Sequence, residues 1–201
     1  TPMTPLAPTR LSITTCCLAL LSATATAHAE GVVNVLTWEG YADPSFIAPF
    51  EEATGCKVSA TYVGSNDDFA PKLLAGGGVY DLITPSIDTT SLMIDLGLVE
   101  PLDTAAIAGW DSIYPKFREQ PGIQRDGAYY GMPYSWGAIV FMYLNDAFPT
   151  PPTSIEDLWN KDLAGKISLW DDKSAIYVAA RLNGDMDIYN LSDEQIEAAK
   201  A

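Results

Sequence analysis

The sequence predicts an α/β fold with a parallel sheet. From Gly31 onward, short runs of β-branched and aromatic residues alternate with segments whose apolar residues recur at helical spacing. Residues typical of helix caps and helix stops separate these segments. The first part of the pattern is that of two successive β-α-β units, whose crossovers should be right-handed.

The first unit is predicted to comprise a strand over 32–38, a helix from Asp43 to Gly55 and a strand over 57–63. Aspartate followed by proline is a typical helix start, because the carboxylate accepts from the free amides of the first turn and proline fits its backbone angle. Glycine allows the left-handed conformation in which many helices end. Pro49 predicts a kink in this helix or a later start.

The second unit is predicted to begin with a helix that is capped by residues 66–68 and ended by the glycines at 76–78. A third strand follows over 80–84. After that strand, the sequence predicts another helix, which begins near residues 89–91.

The middle of the chain carries weaker signals. Residues 103–124 show little periodicity and are expected to run over the surface. The apolar and aromatic stretch 128–145 suits strands that leave one lobe and enter another. Three prolines, Pro149, Pro151 and Pro152, predict a turn beside the hinge at which the chain passes between the two lobes.

The end of the chain predicts the start of a second lobe. Ser154 begins a short helix in the manner of a capping box, residues 166–170 form a strand, and Ser192 caps a final helix. No stop signal precedes Ala201, so we expect the chain to be an N-terminal portion. The predicted segments are a signal peptide over 1–29, the first lobe over 30–145 and an incomplete second lobe over 146–201.

The first 29 residues are typical of an export signal. Arg10 precedes an apolar and small-residue run over 11–27, and residues 27–29 have the Ala-x-Ala form that signal peptidases accept. The run is short for a membrane span. We therefore expect a periplasmic protein whose mature form starts at Glu30.

Composition excludes several classes of function. The chain has 26 acidic and 11 basic residues and a net charge of −15 at pH 7, which makes nucleic acid a poor partner. His28, the only histidine, lies in the predicted signal, so the mature chain has no imidazole for a triad or a zinc site. Outside the signal only Cys56 remains, so no disulfide forms within the chain. We expect a monomer without metal or cofactor.

Candidate site residues follow from the rule that open parallel sheets bind ligands beyond the carboxyl ends of their strands. Four segments fall there, namely 38–41, 85–88, 133–137 and 170–174. The candidate ligand-binding residues are Trp38, Glu39, Tyr41, Ser86, Asp88, Trp136 and Asp172. Aromatic faces attract ammonium groups and carboxylates form charge-assisted hydrogen bonds with them, so this mixture suits an amine ligand.

Other interpretations of the same residues stay open at this point. Ser86 can equally well be a helix cap. An exported hydrolase would use Glu39, Asp88 and Asp172 as acid and base, with one raised pKa. Iron capture through Tyr129 and its neighbour is a third interpretation, but adjacent strand residues point to opposite faces.

Five stretches together resemble the bacterial periplasmic spermidine/putrescine-binding proteins, within the extracellular solute-binding proteins of ABC importers. The stretches are Trp38-x-x-Tyr41, 50–58, 80–86, 130–137 and 155–159. The resemblance implies a two-lobed periplasmic-binding-protein fold of type II, with the first sheet nearly complete and the second lobe truncated. It also implies hinge closure on a polyamine-like solute, delivery to an inner-membrane ABC permease, and no enzymatic activity.

The resemblance places ligand-facing residues at Trp38, Tyr41, Ser86, Asp172 and Trp136. Three positions depart from the family's pattern. Acids are expected at Gly40 and Ala175, and an aromatic residue is expected at Asp88. Each end of a desolvated polyamine needs an anionic partner. A shorter amine, an amino-acid-like compound or a carboxylate-bearing solute is therefore an alternative ligand.

Overall fold

The computed structural model describes residues 31–76, 78–148 and 150–201. The predicted signal peptide over 1–29 lies outside the described residues, as do Gly77 of the predicted helix stop and Pro149 of the predicted hinge turn.

A three-stranded parallel sheet lies in the N-terminal part of the described chain. Strand β1 (Val32–Trp38) lies between β2 (Lys57–Val63) and β3 (Leu82–Ile83), in the order β2-β1-β3. The register pairs Val32 with Lys57 and Trp38 with Val63, so β1 and β2 end at the same edge. The first two strands are confirmed to the residue, whereas the third is shorter than predicted.

The first two helices begin and end through local side-chain chemistry. Helix α1 (Pro44–Thr54) starts at Asp43, whose carboxylate accepts from the Ser45 amide, and it stops at Gly55 in the left-handed conformation. The helix contains Pro49 and does not start later. Helix α2 (Phe69–Gly76) follows a short 3-10 turn that is capped by Ser65, one residue before the predicted cap.

The core lies at the carboxyl ends of the strands. Leu36, Val63 and Phe69 are buried together and form its centre. Four partly buried residues pack around them, namely Trp38, Leu73, Tyr80 and Ile83. Because Trp38 belongs both to this core and to the end of β1, the packing fixes the edge at which the candidate site lies.

Helix α3 (Ile87–Asp95) starts earlier than predicted, at Ser86. The following segment is a chain of short turns that includes α4 (Pro115–Arg118), and it returns to α3 at Gly122. A Cβ on Gly122 would lie 2.8 Å from the carbonyl oxygen of Ile87, so this close approach requires glycine. A hairpin of β4 (Gln124–Arg125) and β5 (Ala128–Tyr129) follows.

The predicted strands over 128–145 are confirmed only at β5, and the predicted strand over 166–170 is wrong. Beyond Tyr129, residues 130–144 have no regular secondary structure, and neither have residues 167–170. A strand requires a hydrogen-bonded neighbour, and no ladder in the described ranges pairs with these residues. Their apolar patterns are therefore not enough to form strands.

The remaining helices lie near the end of the chain. Ser154 caps a 3-10 helix over Ile155–Trp159 with the predicted capping box. Helix α5 (Ser174–Leu182) was not predicted, whereas α6 (Asp193–Lys200) begins at Ser192 as expected. None of the described helices combines the length and apolar character that a membrane crossing requires.

Candidate functional site

The end of β1 is joined to the segment that precedes α5 by tryptophan packing. The Trp38 indole donates from Nε1 to the carbonyl of Thr84, 2.8 Å away, and its ring lies edge-on to Trp170 at a centroid distance of 5.8 Å. The Trp170 indole in turn donates to the carbonyl of Gly64 after β2, at 3.1 Å. Residues 106 positions apart in sequence thus meet at the strand ends.

A hydrogen-bond network links the loops after β2 and β3 to the start of α5. The Asp172 carboxylate accepts from the backbone amide of Asn66 at 3.2 Å, from its side-chain amide at 3.3 Å and from the Ser174 amide at 2.9 Å. Asn66 accepts in turn from the backbone amide of Ser86 at 3.1 Å. Asp172 therefore holds the start of α5 against the loops that follow β2 and β3.

The surroundings of Asp172 keep it ionised. Its burial raises the pKa, but hydrogen bonds donated by Ser174 and Asn66 outweigh this effect and leave the pKa below its ordinary value. A carboxylate whose acceptor sites are used in this way holds the chain together and has little capacity left for a ligand.

Asp88 on α3 is also engaged. Lys173 Nζ lies 3.0 Å from its Oδ2 atom, and the Tyr177 hydroxyl donates to the same oxygen at 2.8 Å. The Lys173 ammonium also donates to Thr89 Oγ1 at 2.8 Å. Burial, followed by the hydrogen bond and charge of Asp88, raises the pKa of Tyr177, so that hydroxyl remains a donor.

Glu39 lies in a different environment. It lines a pocket together with Gly40, Tyr41, Phe46, Tyr134 and Ser135. The Tyr41 hydroxyl lies 3.2 Å from Ser135 Oγ, and the Tyr41 and Tyr134 rings are 5.5 Å apart. Here an exposed carboxylate stands beside aromatic side chains.

Trp136 flanks this pocket. Its ring stacks on Phe117 at a centroid distance of 5.9 Å, and the residue is 76% exposed. Both rings line a neighbouring pocket, which shares Tyr134 and Ser135 with the pocket of Glu39.

The predicted site residues therefore form two groups. Trp38, Ser86, Asp88 and Asp172 meet at the ends of the strands and the start of α5. Glu39 and Tyr41 line the exposed pocket, with Trp136 beside it.

Sequence reasoning missed three partners of these residues. Asn66 was interpreted only as a helix cap, and Lys173 was part of a candidate segment without being singled out. Tyr177 lies in α5, the helix that was not predicted. No local pattern indicates the ion pair of Lys173, because its partner Asp88 lies on α3, far away in sequence.

The geometry does not favour the two alternative functions, hydrolysis and iron capture. A hydrolase needs a carboxyl with a raised pKa, whereas that of Asp172 is lowered and Asp88 is paired with Lys173. Tyr129 packs edge-on against Trp110 at 4.9 Å, which is a structural contact. In the described part of the chain, no three His, Cys, Asp or Glu side chains are grouped to hold a metal ion.

The curated proteins to which this chain is similar include two spermidine/putrescine-binding periplasmic proteins. The spermidine/putrescine-binding periplasmic protein of Escherichia coli K12 is 28% identical over 184 residues, which cover 90% of this chain and 52% of the relative. Spermidine/putrescine-binding periplasmic protein 1 of Haemophilus influenzae is 30% identical over 169 residues, covering 83% and 46%. The chain thus spans about half the length of the curated relatives it matches.

Solved structures share the fold. A putative spermidine/putrescine ABC transporter from Listeria monocytogenes matches with a TM-score of 0.73 and 27% identity, over 84% of this chain and 52% of its own. The Tp0655 (TpPotD) lipoprotein of Treponema pallidum matches with a TM-score of 0.66 and 26% identity, over the same 84% and 52%. The model of the family described as bacterial extracellular solute-binding protein matches residues 45–201. With more than half of its length matched by that model, the chain belongs to the bacterial extracellular solute-binding protein family.

Proposed function

We propose that this protein is the substrate-binding component of an ABC importer and that it captures a small cationic solute. Solutes of this kind include polyamines and shorter amines. The protein is exported to the periplasm through the signal peptide predicted over 1–29, binds its ligand there, and presents it to an inner-membrane permease. No catalytic step is part of this function.

The pocket of Glu39 carries the proposal. Its carboxylate would form a charge-assisted hydrogen bond to a ligand ammonium, while Tyr41 and Tyr134 offer ring faces to the same charge. The resemblance implies an acid at position 40, where this chain has glycine, and Glu39 is the acid directly before it. Glu39 is therefore the proposed anchor.

Closure of two lobes would complete the site. We place the boundary between the lobes after residue 145, which leaves Trp38, Glu39 and Ser86 on one side and Asp172 on the other. A ligand that touches both sides stabilises the closed state in proportion to its preference for that state. The contacts of Trp38 with Trp170 and of Asn66 with Asp172 are those that such a closed state needs.

Calorimetric titration of the purified protein with amines tests the proposal. We expect Glu39→Gln to weaken amine binding by about tenfold or more, because a hydrogen bond to a charged group contributes roughly 1.5–3 kcal/mol. Glu52→Gln is the matched control, since Glu52 is an exposed acid on α1. It removes the same charge without touching the pocket.

Two results would contradict the proposal. The assignment of a cationic ligand would be wrong if putrescine, spermidine and shorter amines all fail to bind below the millimolar range. Equal effects of the two glutamine variants would show that only the total charge matters and that Glu39 is not the anchor.

A further inference from the structure

Lys173 reaches from the start of α5 to α3, where its ammonium lies 3.0 Å from the Asp88 carboxylate. We propose that its ammonium is a built-in occupant of a second amine site, formed by Asp88, Thr89 and Tyr177, and that a second ammonium group on a ligand therefore adds little affinity. This inference rests on the proposed function and concerns the specificity of the same cleft.

The geometry is that of an ammonium site. Lys173 Nζ is 3.0 Å from the Asp88 carboxylate and 2.8 Å from the Thr89 hydroxyl, and Tyr177 donates to the same carboxylate oxygen. The Asp88 side chain is only 8% exposed, whereas that of Lys173 is 29% exposed. The acid is thus almost enclosed, and the cation reaches it from the more open side.

Local structure does not account for a lysine at this position. Lys173 stands at the N-terminal cap of α5 and makes no side-chain capping bond there. A cation is unfavourable at the positive end of a helix dipole. Its ammonium extends instead to α3, so the role of Lys173 is the tertiary ion pair with Asp88.

The consequence for ligands follows from competition. A buried carboxylate without a cation is costly, and Lys173 removes that cost in the absence of ligand. Because the lysine belongs to the same chain, it competes at a high effective concentration. A second ligand ammonium would replace one cation by another and gain little affinity, while losing its own hydration.

The test compares 1,4-diaminobutane with n-butylamine, which has the same carbon chain and one ammonium group. In the wild-type protein we expect similar dissociation constants, within about threefold, since Lys173 already fills the site at Asp88. In Lys173→Met we expect the diamine to bind at least about tenfold more tightly than n-butylamine, because Asp88 then lacks a cation. Lys166→Met, which removes an exposed lysine from the same region, should keep the wild-type ratio.

Further variants keep the test decisive if Lys173→Met folds poorly, as circular dichroism would show. Lys173→Gln keeps a polar donor without the positive charge and should shift the ratio in the same direction. Asp88→Asn combined with Lys173→Met leaves no charge at this site and should restore the wild-type ratio. If Asp88 instead anchors the diamine in the wild-type protein, the double variant loses diamine affinity by about tenfold or more, and the inference is wrong.

The outcomes separate this inference from the proposed function. A diamine preference of about tenfold in the wild-type protein, or an unchanged ratio in both Lys173 variants, overturns the role of Lys173 while amine binding itself stands. If the wild-type protein binds no amine and Lys173→Met binds the diamine, the role of Lys173 is supported and the proposed function fails. If no variant binds any amine, both fail.

Discussion

Asp172 is the residue through which the second part of the chain is held at the strand ends. Its two carboxylate oxygens accept from Asn66 and Ser174, and no more than 9% of the residue is exposed. Removing one partner from a buried hydrogen-bonded group costs more than the bond itself contributes, because the remaining donors lose their acceptor and stay out of water.

We therefore expect Asp172→Asn to destabilise the protein by about 1–3 kcal/mol at neutral pH. The variant keeps the shape of the side chain but turns an amide group toward donors. Urea unfolding of the wild type and the variant measures the change in the free energy of unfolding. The exposed Asp171→Asn is the matched control and should change it by less than about 0.5 kcal/mol.

The same pair of proteins should show a defined pH dependence. The pKa of Asp172 is lower in the folded state than in the unfolded chain, so its contribution is complete above the unfolded value and is lost as the pH falls through the folded one. The difference in unfolding free energy between wild type and Asp172→Asn should shrink on acidification below about pH 4. A difference that stays constant down to pH 2 would contradict the lowered pKa.

At the scale of helices, caps distinguish structural serines from candidate ligand contacts. Ser192 accepts from the amide of Gln195 at 3.3 Å, and the Gln195 side chain accepts from the Ser192 amide at 2.8 Å. Ser86 stands at the same position of α3 but makes no side-chain capping bond.

Ser192→Ala should therefore cost about 1 kcal/mol of stability, which is typical for the loss of a helix cap. Ser86→Ala should cost markedly less, since α3 does not depend on that hydroxyl. Thermal and urea unfolding of both variants measure this contrast. A cost for Ser86→Ala as large as that for Ser192→Ala would restore the interpretation of Ser86 as a helix cap.

Elements with local signals could be predicted from the sequence. Both ends of α1 depend on residues next to them, Asp43 and Gly55, and the bounds of β1 and β2 follow from their own apolar patterns. Helix α5 was missed because its cap position is Lys173, which gives no start signal, and because it contains β-branched residues.

Elements that need distant partners could not be predicted. The stretch 128–145 has the composition of strands, yet strand formation depends on a neighbour that the sequence of the stretch itself does not contain. The site shows the same limit. The sequence identified Asp88 and Asp172 as acids near a ligand, but only the fold shows that Lys173 and Asn66 already occupy them.

The net charge of the whole molecule would act on the proposed cationic ligand at long range. A net charge of −15 creates a negative potential that raises the local concentration of cations and their association rate. Salt shortens the range of this field to about 8 Å at physiological ionic strength. The total charge and the anchor in the pocket should therefore affect different rate constants.

Stopped-flow fluorescence with an amine ligand separates the two contributions. We expect the association rate constant to fall several-fold between about 10 mM and 150 mM salt, because screening weakens long-range steering. Glu39→Gln removes one of 26 acidic residues, so it should leave this salt dependence nearly unchanged and instead raise the dissociation rate constant by about tenfold. If Glu39→Gln abolishes the salt dependence while dissociation stays as in the wild type, then the pocket carboxylate attracts the ligand from a distance and does not hold it, and the anchor must lie elsewhere in the cleft.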